Sequence, residues 1–239
     1  MRRWRTALLV ACGVLVLLLA TLYGSWRLLR SRSYQLFGEL VTEVQTADSV
    51  VALTFDDGPI APYSDSILDL LAAERVSATF FLIGSNAARH PELARRMVAE
   101  GHELGNHTFT HRRMVLVSPS VIREEIEATD SVIRAAGQQG PIHFRPPYGS
   151  RLVGLPWYLA RTGRTTVLWT LEPDSWFHAH AEMTRHVLTE VGPGAIILLH
   201  VEVPSRSEER LALREIIRGL RERGYGFVTL SDLMARDLP

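Results

Sequence analysis

The chain contains a single cysteine, Cys12, and no lysine. One cysteine excludes an internal disulfide framework and leaves no thiolate-rich metal site. With lysine absent, all 26 basic residues are arginine. Six of them (Arg2, Arg3, Arg5, Arg27, Arg30 and Arg32) precede the first acidic residue, Glu39, so the remaining 20 face 26 acids at a net charge of about −6. A net-acidic domain lacks the phosphate-neutralising surface that nucleic-acid binding requires. Internal repeats and low-complexity linkers are missing too. A hydrophobic content of 46% over 239 residues suits one globular domain with an appendage.

The appendage is the one long apolar run. Between Arg5 and Arg27, TALLVACGVLVLLLATLYGSW carries no charged side chain. At about 1.5 Å per residue it can cross a hydrocarbon core of about 30 Å. Arginines bracket both ends, which fits a buried core helix badly. Signal peptidase would have to read Leu22 and Gly24, or Leu18 and Ala20, as its small residues. An uncleaved anchor is therefore expected, with a cleaved, secreted form as the alternative. A lipoprotein site at Cys12 fits poorly because too few apolar residues precede it. Arginine counts on the two sides are similar and barely orient the segment. The expected organisation is an anchor over 1–32, a stem over 33–49 and a catalytic domain over 50–239. No obligate protein partner is signalled.

From residue 50 the chain alternates β-rich apolar runs with amphipathic stretches. Expected strands are VVALTF (50–55), ATFFLIG (78–84), HELGN (102–106), IHFR (142–145), TTVLWT (165–170), AIILL (195–199) and GFVTL (226–230). Between them lie SDSILDLLAAERV, PELARRMVAEG, PSVIREEIEATDSVIRAAG, GLPWYLARTG, AEMTRHVLTEVG and SEERLALREIIRGLRERG, several opening on Ser or Pro and closing on Gly, as helix ends do. Repeated β-then-α order implies parallel strands joined by crossover helices, in a barrel-like or doubly wound α/β fold.

The unusual polar residues cluster at strand exits. Asp56 and Asp57 follow VVALTF, His107 and His111 follow HELGN, and Arg145 ends IHFR. Glu172 and Asp174 follow TTVLWT, and His200 follows AIILL. In parallel α/β barrels the loops at that face converge on one opening, so these positions are candidates for one pocket. Adjacent carboxylates repel unless a cation, a proton or good donors offset them. His107 and His111, four apart, would project to one side of a helical turn and suit two nitrogen ligands of a divalent cation. A carboxylate from another strand completes an open catalytic triad; Asp57 can be that ligand, leaving Asp56 free to handle a proton. Two imidazoles and a carboxylate suit zinc and also admit cobalt, nickel or manganese.

Together TFDDGP (54–59), NHTFTH (106–111), RPPYG (145–149) and LLH (198–200) resemble, in order, the motifs of the metal-dependent polysaccharide deacetylases of the NodB-homology type, carbohydrate esterase family four. The resemblance covers roughly residues 50–232. It implies a distorted (β/α)7-type barrel that hydrolyses N-acetyl groups on amino sugars. Carried onto this chain, it implies Asp57, His107 and His111 as metal ligands and Asp56 as general base. Arg145 would orient Asp56, His200 would protonate the leaving amine, and the backbone N–H of Tyr148 would hold the oxyanion. Leu198 and Trp176, with Tyr148, would border the acyl group and sugar.

One motif departs from the family. Where Asp-x-x-Asp-Trp is expected, the chain has EPDSW (172–176), so either Glu172 or Asp174 could tune the catalytic histidine. His178, His180 and His186 lie near a polar helix start and are read as solvated; His90, His102 and His143 receive no role. Taken singly, Arg145 could pair with a surface acid and His200 could be a core histidine. The favoured function is a membrane-anchored, extracytoplasmic N-deacetylase of a bacterial cell surface, acting on peptidoglycan ahead of chitooligosaccharide. An O-acetyl ester hydrolase on another glycan and a non-catalytic glycan-binding protein are the alternatives.

Overall fold

The structure, a computed structural model, describes residues 2–238. Met1 of the expected anchor and Pro239 of the expected domain lie outside the described residues. The elements run α1 (Arg2–Arg30), β1 (Leu40–Val41), β2 (Val50–Asp56), α2 (Tyr63–Glu74), β3 (Thr79–Leu82), α3 (Gly84–Arg89), α4 (Pro91–Ala99), β4 (Glu103–Asn106), α5 (Pro119–Ala135), α6 (Gly154–Arg161), β5 (Thr166–Val167), α7 (His180–Glu190), β6 (Ile196–Leu199), α8 (Ser207–Glu222), β7 (Gly226–Phe227) and α9 (Leu230–Met234).

The strands lie in the order β4-β3-β2-β6 and every pair is parallel. β7 adds to the start of β2, and β1 pairs with β5. Single parallel bridges close the circuit: Asn106 to Phe144, Phe144 to Thr166, and Leu171 to Ile197. The result is the expected parallel α/β barrel, distorted where whole strands shrink to single bridges.

That distortion has a local cause. The expected strand IHFR keeps only the bridge at Phe144, and TTVLWT keeps only β5. Pro146 and Pro147 follow at once and cannot donate to a ladder. The buried guanidinium of Arg145 then binds the carbonyls of Val167 (Nε, 3.4 Å) and Leu168 (Nη2, 2.9 Å), so a side chain does there what a neighbouring strand would do. GFVTL is cut short because Thr229 caps α9, its hydroxyl accepting from the Asp232 N–H.

β2 is buried on both faces along nearly its whole length, as a central parallel strand must be, which is why VVALTF reads as a continuous apolar run. Leu53, Phe55, Phe80, Leu82 and Ile197 pack against Leu68, Leu71 and Met97 of the surrounding helices. α8 contributes Ala212, Leu213, Ile216, Ile217 and Leu220, one stripe at helical spacing. Each of the leucines and isoleucines stabilises the fold by about 1.5–3 kcal/mol when fully buried. Carbonyl ends of β2, β4 and β6 all emerge on one side of this core.

Residues 33–49, read as a stem, are laid along the domain. β1 pairs in register with β5, and Gln35 is buried. α1 stands apart: its most apolar 18-residue stretch, within Thr6–Arg30, has a mean hydropathy of 2.5 and none of it is buried, so it is no core helix of this domain. It is long and apolar enough to cross a membrane.

Candidate active site

At the end of β2 the two carboxylates diverge. Asp56 is still in the strand, whereas Asp57 has a left-handed φ of 75°. Gly58 follows because no Cβ fits: one would lie 2.0 Å from Glu202 Oε2. Asp56 Oδ1 accepts from Arg145 Nη1 at 2.7 Å, and Arg145 is itself fully buried over the Phe81 ring and donates also to Thr54 Oγ1 at 2.9 Å. Burial works against charge on Asp56, but Arg145, His107 and His200 outweigh it and hold the carboxyl below its ordinary value.

The imidazoles of His107 and His111 do converge, with ring centroids 5.0 Å apart, but not on the expected helical turn. Thr108 and His111 take left-handed φ of 67° and 58°, producing a bent loop after β4. The loop is braced from α5. Asn106 Nδ2 donates to Ile126 O and Asp130 Oδ1 while its Oδ1 accepts from the Thr108 N–H; Glu125 accepts from both the N–H and the hydroxyl of Thr110. Neither Asn106 nor Glu125 stood out in the sequence, because each reads there as an ordinary strand-end or helix-face residue.

His107 Nδ1 donates to Arg145 O at 2.7 Å, which orients the ring with Nε2 toward the two carboxylates. That Nε2 lies 3.6 Å from Asp57 Oδ1, and His111 Nε2 lies 3.2 Å from the same oxygen. Burial, then the neighbouring His107, pushes His111 below its ordinary value, the direction a neutral nitrogen donor needs. Asp57 Oδ1 is buried without a hydrogen-bond partner. A buried carboxylate oxygen without a hydrogen-bond partner, facing two imidazole nitrogens, is costly by itself and suited to a divalent cation. The three donor atoms lie within 4.8 Å of one another.

Across the cleft His200 follows β6. Its Nδ1 and its backbone N–H both donate to Asp174 Oδ2, at 2.8 and 2.9 Å, leaving Nε2 to face the opening. Burial disfavours the imidazolium, yet the Asp174 hydrogen bond and the charges of Asp174, Asp56 and Asp57 outweigh it and raise the pKa to about 9. Glu172 lies within 4.8 Å of this pair but makes no hydrogen bond to His200, accepting instead from Arg32 Nη2 at 3.0 Å. Of the two acids in EPDSW, Asp174 is thus the one on His200. Tyr148, at φ 60° in the turn Pro147–Gly149, and Trp176 stand exposed at the rim, and buried Leu198 lies on the floor. These groups share one cleft of about 860 Å³. The remaining histidines are elsewhere: His180 pairs with Glu208 at 2.7 Å, and buried His143 meets Ser231 at 3.1 Å.

The polysaccharide deacetylase family matches residues 43–167, over half of the chain. A chitooligosaccharide deacetylase of Bradyrhizobium sp. is 38% identical over 196 residues, 77% of this chain and 90% of that protein. The chain belongs to the polysaccharide deacetylase family. A peptidoglycan-N-acetylglucosamine deacetylase of Bacillus cereus is 34% identical, covering 82% of this deacetylase and 93% of its own length. The crystal structure of a peptidoglycan N-acetylglucosamine deacetylase in complex with 4-naphthalen-1-yl-N-oxidanyl-benzamide superposes with a TM-score of 0.78 at 31% identity, covering 83% and 95% of the two chains. This deacetylase is accordingly a hydrolase of N-acetyl amide bonds in polysaccharide, on the barrel of carbohydrate esterase family four.

Glu202 went unnoticed in the sequence of this deacetylase, although it too follows a strand exit. It is fully buried against Gly58; Oε1 accepts from the Ser64 hydroxyl and Oε2 has no partner. Burial raises its pKa from 4.5 to about 8, with Asp57 and Asp56 adding to the rise. A carboxyl whose folded pKa exceeds its unfolded one stabilises fully below the unfolded value and loses that contribution as pH rises through the folded one. Melting temperature should therefore decline between pH 4.5 and about 8 in the parent protein. Glu202→Gln should flatten that decline in thermal scans across pH; an unchanged slope would assign it to other groups.

Proposed function

We propose that this deacetylase removes N-acetyl groups from N-acetylglucosamine polymers with a divalent cation held by Asp57, His107 and His111. The observation that carries the proposal is the buried, unpartnered Asp57 Oδ1 facing two imidazole nitrogens. Zinc suits this donor set best, with cobalt, nickel or manganese admitted. When bound, the cation supplies Lewis-acid polarisation of the acetyl carbonyl and lowers the pKa of water at the site.

The chain's own groups do the rest. Asp56, kept ionised and aimed by Arg145, takes the proton of the attacking water. The backbone N–H of Tyr148 donates to the oxygen on which negative charge develops. An amine leaves poorly unless protonated, and His200 Nε2, cationic through Asp174, supplies that proton. Leu198 and Trp176 border the acetyl group and the sugar. The apolar helix α1 anchors the domain at the outer face of a bacterial membrane, and 33–49 link it to the catalytic domain beginning near residue 50.

Peptidoglycan is favoured ahead of chitooligosaccharide, the two substrates for which the relatives are named. Acetate release by the full-length protein should be measured on both and on an O-acetylated glycan, before chelation, after it, and after returning zinc. Chelation is expected to abolish release from the N-acetylated glycans and zinc to restore it. Undiminished release after exhaustive chelation would sink the metal assignment, and release from the O-acetyl ester alone would replace the amide by the ester as substrate.

A further inference from the structure

One wall of the cleft comes from outside the barrel. Trp26, Arg30 and Arg32, at the end of α1 and just beyond it, line the same cleft as Asp57 and His200. What fixes them there is Arg151, only 1% exposed and without any carboxylate. Its Nε donates to Gln35 Oε1 (3.2 Å), Nη1 to Gly149 O (3.0 Å), and Nη2 to Ser31 O (2.9 Å) and Tyr34 O (3.1 Å). Burying a cation without a counter-charge is unfavourable and lowers the Arg151 pKa to about 10. So costly a group, with every bond given to main chain or amide, ties residues 31–35 to the loop that carries Tyr148. The segment is a fixed wall rather than a loose tether.

That wall is cationic, and Arg113, bound to the adjoining loop that carries Tyr148, adds a further arginine. Arg32, its side chain 45% exposed, reaches Glu172 and stacks on Trp169 at 5.2 Å. Arg30 lies over Trp26 at 5.1 Å, and Arg113 lies over Tyr148 at 4.3 Å while donating to Ser150 Oγ at 2.6 Å. Among the described residues neither Arg30 nor Arg113 has an acidic partner. Guanidiniums held by aromatic faces instead of acids keep their charge and their planar fork for an incoming carboxylate.

We propose that this rim selects N-acetylated glycans bearing free carboxylates on the units flanking the reacting sugar, with Arg30 and Arg113 as specificity-determining residues; the identity of the reacting sugar rests on the deacetylase reading above. A neutral oligomer leaves the rim arginines to water, whereas a carboxylated strand pairs with them.

The test compares one carboxylated, N-acetylated glycan oligomer with the same oligomer after its carboxylates have been amidated, so that only charge differs. Binding to the full-length zinc-loaded Asp56→Asn protein is read by tryptophan fluorescence, and acetate release by the parent protein is read in parallel. The free-carboxylate strand should bind about tenfold more tightly, as expected for two partly exposed ion pairs. The margin should shrink with added salt and vanish in the Arg30→Gln, Arg113→Gln double variant. Equal binding of the two strands, or a preference that survives both substitutions, overturns the proposal whether or not acetate is released. A carboxylate preference without acetate release from either strand would leave the rim's selectivity standing and remove the reaction assignment instead.

Discussion

Asp57→Asn is expected to lose both metal and turnover, whereas its neighbour Asp56→Asn keeps the metal and loses about 10²-fold or more in rate, the scale of a general base. The two carboxylates are adjacent in sequence but not in surroundings. Asp56 is bound by Arg145 at 2.7 Å, a contact that already compensates its charge. Asp57 has no such partner on Oδ1 and meets only imidazoles. His107→Ala and His111→Ala should behave like Asp57→Asn. Metal content by elemental analysis and acetate release, measured on the same preparations, separate the two classes. Equal metal loss in Asp56→Asn and Asp57→Asn would mean that the pair shares one role.

His200→Ala should cost the amide substrate far more than an activated acetyl ester, because an activated leaving group departs without a proton. With its pKa raised to about 9, His200 is cationic below that pH, and rate should fall as pH climbs through it. Asp174→Asn removes the hydrogen bond and charge that raise it, so the alkaline limb should move down by about one unit or more with metal content intact. Glu172→Gln should move that limb much less, since its carboxylate is occupied by Arg32. If amide and ester lost rate equally in His200→Ala, the proton-donor role would fail and His200 would be a packing or positioning residue.

Most of the barrel was legible because β2, β3 and β6 are buried on both faces and therefore read as nearly unbroken apolar runs, while β4, equally buried, showed itself by its place between helical stretches. The strand at Phe144 is shorter than its apolar pattern implies, because two prolines cannot donate to the ladder and Arg145 takes the carbonyls that would have extended it. Strand-exit acids and histidines were legible as a group, since polarity directly after an apolar strand has few structural uses. The braces were not. Asn106, Glu125 and Arg151 act through contacts at long sequence separation, and nothing in their immediate neighbours distinguishes them from solvated side chains. Glu172 and Asp174 could not be ranked from EPDSW, because the choice depends on Arg32, 140 residues away along the chain.

Among the described residues six non-glycine positions have left-handed φ, of which Asp57, His111 and Tyr148 line the cleft and Thr108 lies buried in the loop between the two histidines. Such conformations cost about 1 kcal/mol or more each and persist only where surrounding structure enforces them. Glycine at 57 or 111 would relax the backbone while deleting a donor atom. Selection for heat tolerance and selection for hydrolysis therefore pull in opposite directions at these positions. A duplicate of this gene released from catalytic duty would gain stability fastest by losing its reactive side chains, so inactive descendants of such a chain should melt higher than the enzyme they came from.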